Sequence, residues 1–152
     1  MKDISKQEML ELLQKEPDGV ISLSDGDSPY CIPFGYVIVG ETVYLSLFPK
    51  GRKWEIIQKN PRVCFNVYNW NEDHTVWSSV VVDGVMSPVT EIAEIESVVK
   101  ALIVKMGLDP ETYLEKRMKY YQDNLDNPKA LKVYKIDSST MGGKTMNTML
   151  GS

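Results

Sequence analysis

The chain has 152 residues, 43 % of them apolar and 25 % charged, with a net charge of −4. That is enough chain for one core, and the balance is that of a globular domain, which excludes wholesale disorder and leaves no wide positive surface for nucleic acid, though a local basic pocket is compatible with it. No apolar stretch approaches the ~20 residues that cross a bilayer, and the opening Met1, Lys2, Asp3 and Ile4 lacks the apolar core of a secretory signal, so a cytoplasmic location is expected.

Ser5 and Glu8 have capping-box spacing, in which hydroxyl and carboxylate each accept from the other residue's backbone N–H. The spacing predicts a helix to about Lys15, with Met9, Leu10, Leu12 and Leu13 on its apolar face and Pro17, Asp18 and Gly19 ending it. Val20 to Ser24 reads as a strand closed by the turn-forming run Asp25 to Pro29. Tyr30 to Val39 is the next strand, and Gly40 and Glu41 turn it into Val43 to Phe48, so a three-stranded meander is expected.

Pro49 and Gly51 break that run, and Trp54, Ile57 and Gln58 follow at helical spacing, closed by Asn60 and Pro61. Arg52 and Lys53 therefore stand in the first turn of a helix. Cations there oppose the helix dipole, so their placement makes sense where an anion docks, a phosphate above all. An ordinary solvated turn is the plainer reading of Gly51, Arg52 and Lys53 taken alone.

Arg62 to Trp70 alternates as a strand, Asn69 to His74 is a polar loop, and Thr75 to Val85 is the longest β-branched run, expected at the centre of a sheet. Ile92, Ile95, Val98, Val99, Leu102, Ile103 and Met106 then recur at helical spacing up to Gly107. Asp109 and Pro110 start a second helix that runs to about Asn124. A last strand, Ala130 to Ile136, precedes a Gly-, Thr-, Met- and Ser-rich tail from Asp137. Six strands with a helix pair before the last suit one mainly β (α+β) domain over residues 1–152, a small antiparallel barrel with helices outside.

Candidate chemistry is sparse. Cys31 and Cys64 lie in apolar strand-like runs and read as small buried hydrophobes, and with His74 the only histidine a zinc site lacks a ligand. Gly142, Gly143, Lys144 and Thr145 tempt a P-loop reading, which fails because Ser138 stands where the motif needs its first glycine. Ser78 and Ser79 have no nucleophile elbow and no triad partner beyond His74 and Asp73 in the neighbouring loop, so hydrogen bonding toward a bound polar ring is the better reading. Glu94 with Glu96 and Asp25 with Asp27 read as surface pairs. Trp70 and Trp77 read as packing residues that could also close a pocket at a dimer seam.

In order and spacing, Tyr30 to Tyr36, Val43 to Phe48, Gly51 to Lys53, Asn60 to Phe65 and Trp77 to Gly84 closely resemble the flavin-binding split-barrel family that includes pyridoxamine 5'-phosphate oxidases and nitroimidazole reductases. The resemblance covers most of residues 18–88 and, more weakly, 130–145. It implies a six-stranded antiparallel split β-barrel that forms a homodimer and binds FMN at the subunit interface. By position, Cys31, Ile32, Pro33 and Phe34 would lie against the flavin ring, Ser46 and Leu47 would line it, and Arg52 and Lys53 would take the phosphate. Ser79, with Ser78 beside it, falls where the oxidases place a glutamine near the ring. A phosphate of roughly −1.5 to −2 charges is well held by such a pair, since Arg grips two oxygens at once.

The departures carry information too. Tyr36 stands near the place of the oxidases' substrate-phosphate lysine, which argues against pyridoxamine phosphate, and Ser46 stands where nitroimidazole reductases place a histidine. The resemblance thus implies an FMN-dependent oxidoreductase acting on an unidentified small molecule. The alternatives are a non-catalytic flavin-binding or electron-transfer module, or a relative using deazaflavin or haem.

Overall fold

Alternate residues are buried along most strands: Ile21 and Leu23, then Val63, Phe65 and Val67, then Val80, Val82 and Met86, with their neighbours more exposed. Such alternation requires a sheet with one face on a core. The computed structural model of the chain describes residues 1–150. In chain order it contains β1 (Lys2–Asp3), α1 (Lys6–Lys15), β2 (Asp18–Asp25), β3 (Ser28–Gly35), β4 (Val37–Val39), β5 (Thr42–Leu47), α2 (Gly51–Lys59), β6 (Arg62–Trp70), β7 (Val76–Pro88), α3 (Ile92–Lys105), α4 (Pro110–Asp123) and β8 (Lys132–Asn147).

All strands pair antiparallel in the order β3-β2-β6-β7-β8-β5-β4, with β1 on β8. The sheet curls until β3 and β5 come into contact without a ladder between them, which is the split of a half-barrel. The architecture is the expected mainly β one, but the expected six strands become eight. The strand expected over Tyr30 to Val39 is broken at Tyr36, and its halves lie at opposite ends of the sheet. The expected meander is therefore two hairpins, β2–β3 and β4–β5, set at either side of the split.

Tyr36 explains the break. It is buried, its hydroxyl donates to the Leu13 carbonyl at 2.6 Å, and its ring meets Phe65 edge-on at 5.1 Å. Those contacts fasten the crossover to α1 and to the middle of the sheet. Beneath it lies the main core, where Met9, Leu12 and Leu13 of α1 and Ile56 and Ile57 of α2 pack against Ile21, Phe65, Val67, Val80 and Val82. Each fully buried Leu, Ile or Phe contributes about 1.5–3 kcal/mol. The capping box of Ser5 and Glu8 is present as predicted. A second core joins Ile95, Val98, Val99 and Ile103 of α3 and Met118 of α4 to Val37, Tyr44 and Val133.

The tail beyond Ile136 departs from expectation, because β8 continues to Asn147. Ser138, at φ 50°, and unpaired Gly84 mark an irregularity in the β7–β8 ladder, after which pairing resumes. Gly143 sits under α1: a Cβ there would lie 2.6 Å from Ile4 and 2.7 Å from Met9.

Since α1 and α2 pack on the core side, the other face of β2, β3, β6, β7 and the end of β8 has exposed side chains, among them Cys31, Pro33, Tyr68, Trp70, Asp83 and Lys144.

Candidate functional site

The chain enters α2 from β5 through Pro49 and an extended Lys50. Gly51 has φ +88°, and a Cβ on it would meet nothing within 4 Å, so its backbone conformation, not crowding, calls for glycine. No side chain caps this helix, and its first turn holds no acidic residue. By contrast, α1 and α4 are capped by Ser5 and Asp109 and begin with Glu8 and Glu111. The first N–H groups of α2 have no side-chain acceptor from its N-cap residue, and Arg52 and Lys53 belong to that same first turn. Arg52 is exposed and lies over the Tyr30 ring, its guanidinium carbon 4.4 Å from the ring centre. Neither Arg52 nor Lys53 forms an ion pair among the described residues. Cations without an ion pair beside an uncapped helix start are the groups that can receive an anion, and Arg geometry suits a phosphate.

Tyr30 begins the β3 stretch singled out in the sequence. Strand parity divides that stretch: Tyr30, Ile32 and Phe34 pack toward the core, while Cys31 and Pro33 lie exposed on the outer face. Cys31 is thus not the buried hydrophobe expected, because the strand turns it outward; Cys64 is half-buried, and both are free. In register across the face run Cys31, Ser22, Cys64 and Asp83, and beside them Pro33, Val20, Asn66 and Val81. Burial, then the Asp83 carboxylate, pushes the Cys64 thiol up, away from a reactive thiolate.

Ser79 lies between Tyr68 and Lys144 on this face, and its Oγ accepts from Asn66 Nδ2 at 2.7 Å. Ser78 has the opposite parity: its Oγ donates to Thr145 Oγ1 at 3.0 Å. The Gly142 to Thr145 element is thus a strand laid beside Ser78 and Ser79, not a phosphate loop. His74 lies in the loop between β6 and β7, against the Trp70 ring at 5.8 Å, while the hydroxyls of Ser78 and Ser79 bond to Thr145 and Asn66 instead.

The β5 residues divide as well. Leu47 is buried in the main core at 2 % exposure, so it offers backbone and no side chain to a ligand. Ser46 faces outward and lines a cavity with Phe34, Gly35, Tyr36, Leu102, Lys105 and Met106. Lys105 had no signal in the sequence: its Nζ donates to the Tyr36 carbonyl at 2.7 Å and sits 3.7 Å from the Tyr36 ring centre, a contact across 69 residues. The predicted residues therefore fall in three places: the α2 start against β3, the cavity shared by Phe34 and Ser46, and β7. Along the sheet β7 is three strand steps from β3, about 14 Å at the usual spacing. One copy of the chain brings Phe34 and Ser46 to one cavity and does not gather the rest of these residues into it.

The family model described as Pyridoxamine 5'-phosphate oxidase matches residues 5–145. The chain belongs to the pyridoxamine 5'-phosphate oxidase family. No curated protein matches this family member. Among solved structures, it is similar to a candidate 5-nitroimidazole antibiotic resistance protein from Bacteroides thetaiotaomicron, with 21 % identity, TM-score 0.69, and 95 % of this chain and 86 % of that one covered. It is also similar to an FAD-binding protein from Mesorhizobium loti, with 20 % identity, TM-score 0.64, and 96 % and 98 % covered. A third is the FAD-binding protein from Mycobacterium smegmatis, with 18 % identity, TM-score 0.68, and 96 % and 100 % covered. At these identities the likeness is one of fold, and this oxidase-family chain shares the fold over nearly its whole length.

Proposed function

We propose that the chain is a cytoplasmic, FMN-dependent oxidoreductase acting on a small molecule, working as a homodimer with the cofactor at the subunit interface. The observation that carries this reading is the start of α2, an uncapped first turn that holds Arg52, laid against Tyr30 of β3, and Lys53, neither with an ion pair among the described residues. A terminal phosphate is what such a site holds best, and it favours FMN over a flavin whose phosphate is bridged. Two structures sharing the fold are named as FAD-binding proteins, which supports a flavin. No described helix is long and apolar enough to cross a membrane.

On this reading Arg52 and Lys53 hold the phosphate, while the backbone of Cys31 to Phe34 with Ser46 and Leu47 lines the ring. Ser79 completes the site, from the second copy where the first cannot reach, and Ser78, whose side chain is turned to the other face, offers backbone only. That copy would cover the outer face carrying Tyr68 and Trp70, 56 % and 42 % exposed. Large aromatic side chains so exposed on one face support such an association. The flavin, when bound, supplies the redox chemistry, and the protein's part is binding, orientation and exclusion of water. Pyridoxamine phosphate remains disfavoured, since position 36 is a buried tyrosine.

Quenching of FMN fluorescence by the purified chain, with Arg52→Ala as control, tests the cofactor. Stopped-flow reduction by NADH and NADPH separates an enzyme, which shows fast saturable reduction, from an electron carrier, which shows only slow collisional reduction.

A further inference from the structure

The cavity of about 320 Å³ at the split lies between the end of β3, the outer side of β5, and α3. Its walls are mostly apolar: Phe34, Val37, Val98, Leu102 and Met106. Its polar groups are few. The Tyr44 hydroxyl is spent on Glu94 at 2.7 Å, and the Tyr36 carbonyl is taken by Lys105. That leaves the Lys105 ammonium, and the Ser46 hydroxyl, which is within hydrogen-bonding reach of Tyr121 and can donate its own proton only while it accepts from that phenol.

Lys105 is the unusual member. A lysine in the last turn of a surface helix ordinarily extends its ammonium into water. Here the ammonium turns inward, bonded to one carbonyl and stacked on Tyr36, with two N–H donors left over. It has no ion-pair partner among the described residues; Glu16 and Asp18 act on it only through longer-range attraction. Burial nevertheless holds its pKa below the ordinary lysine range, against the pull of those two carboxylates. An incompletely compensated cation at the edge of an apolar cavity is costly until an anion arrives.

We propose that this cavity binds a small apolar monoanion, an aromatic or branched carboxylate, with Lys105 as the residue that selects for its charge. A single ammonium and one hydroxyl match a carboxylate. A phosphate dianion needs more donors than these, and the apolar walls call for an apolar body. That such a carboxylate is the substrate rests on the flavoprotein reading, because Phe34 and Ser46 border both this cavity and the place assigned to the flavin ring; its binding does not.

The test is calorimetric titration of the full chain, without added flavin, using benzoate, its uncharged isostere benzamide, and inorganic phosphate. Benzoate is expected to bind at least about tenfold more tightly than benzamide, and phosphate not to displace it. Lys105→Met keeps the stem and removes the charge: it is expected to weaken benzoate at least about tenfold, leave benzamide unchanged, and leave FMN affinity within about twofold. Lys105→Arg is expected to retain benzoate binding. Equal affinities for benzoate and benzamide, undetectable benzoate binding, displacement by phosphate, or wild-type benzoate affinity in Lys105→Met overturns the proposal. The comparison of benzoate with benzamide on the unaltered chain decides even where a variant does not fold. A chain that binds benzoate as described but no FMN keeps the cavity and removes the flavoprotein reading; a chain that binds FMN but not benzoate does the reverse.

Discussion

The guanidinium carbon of Arg52 stands 4.4 Å from the centre of the Tyr30 ring, which ties the first turn of α2 to the first residues of β3. A cation already held in place loses less freedom when an anion binds. Arg52→Ala is therefore expected to weaken FMN about 10- to 100-fold, the worth of a charge-assisted pair, and to leave riboflavin, which has no phosphate, nearly unaffected. Tyr30→Leu is expected to weaken FMN only a few-fold. Fluorescence titration of both flavins against each variant checks this.

The outer face of β6 and β7 carries Tyr68 beside Ser79 and Val81 beside Asn66, all in register. If a second copy covers that face, charge placed there is desolvated on association and opposes it. Tyr68→Asp combined with Val81→Glu is expected to give a chain of unchanged circular dichroism that runs as a monomer in light scattering, where the parent runs as a dimer. The same variant is expected to lose FMN.

Gly84 packs where the β7–β8 ladder is irregular, and a Cβ there would lie 2.6 Å from the Asp137 carbonyl oxygen and from Ile136. Backbone cannot yield as a flexible side chain does. Gly84→Ala is expected to destabilise by about 1–3 kcal/mol in denaturant unfolding. Gly142→Ala, where nothing lies within 4 Å of the new Cβ, is expected to have little effect.

Burial, then the Glu94 carboxylate that accepts from its hydroxyl, pushes the Tyr44 phenol up to about 12. In the unfolded chain the phenol loses its proton near pH ~10. Between these two values the unfolded chain holds fewer protons than the folded one, so this contribution is full below pH ~10 and is lost as pH rises toward about 12. Tyr44→Phe is expected to be less stable than the parent at neutral pH by about 1 kcal/mol, from the lost hydrogen bond. The variant should lose less stability than the parent between about pH 9 and about pH 11 in urea melts.

The parts of this structure legible in the sequence are those fixed by neighbouring residues. The capping box of Ser5 and Glu8, the Asp109 cap, the α3 stripe and the Gly51, Arg52 and Lys53 turn each rest on residues spaced no more than a few positions apart, and each is where it was expected. What escaped depends on contacts far apart in the chain. Tyr36 breaks a continuous β-like run because its hydroxyl reaches Leu13, 23 residues away. Gly142 and Gly143 read as part of a tail beyond the last strand, yet pairing with β7 extends them into a strand. The exposure of Cys31 follows from which face β3 turns outward, and the approach of Lys105 to Tyr36 follows from how α3 docks over the split.

The proposed function needs one anion site and one cofactor, so titration of the flavin-free chain with FMN tests it most directly. Saturable quenching at a single FMN per chain, weakened by Arg52→Ala, is expected. Absence of quenching, or binding as tight in Arg52→Ala as in the parent, would contradict it.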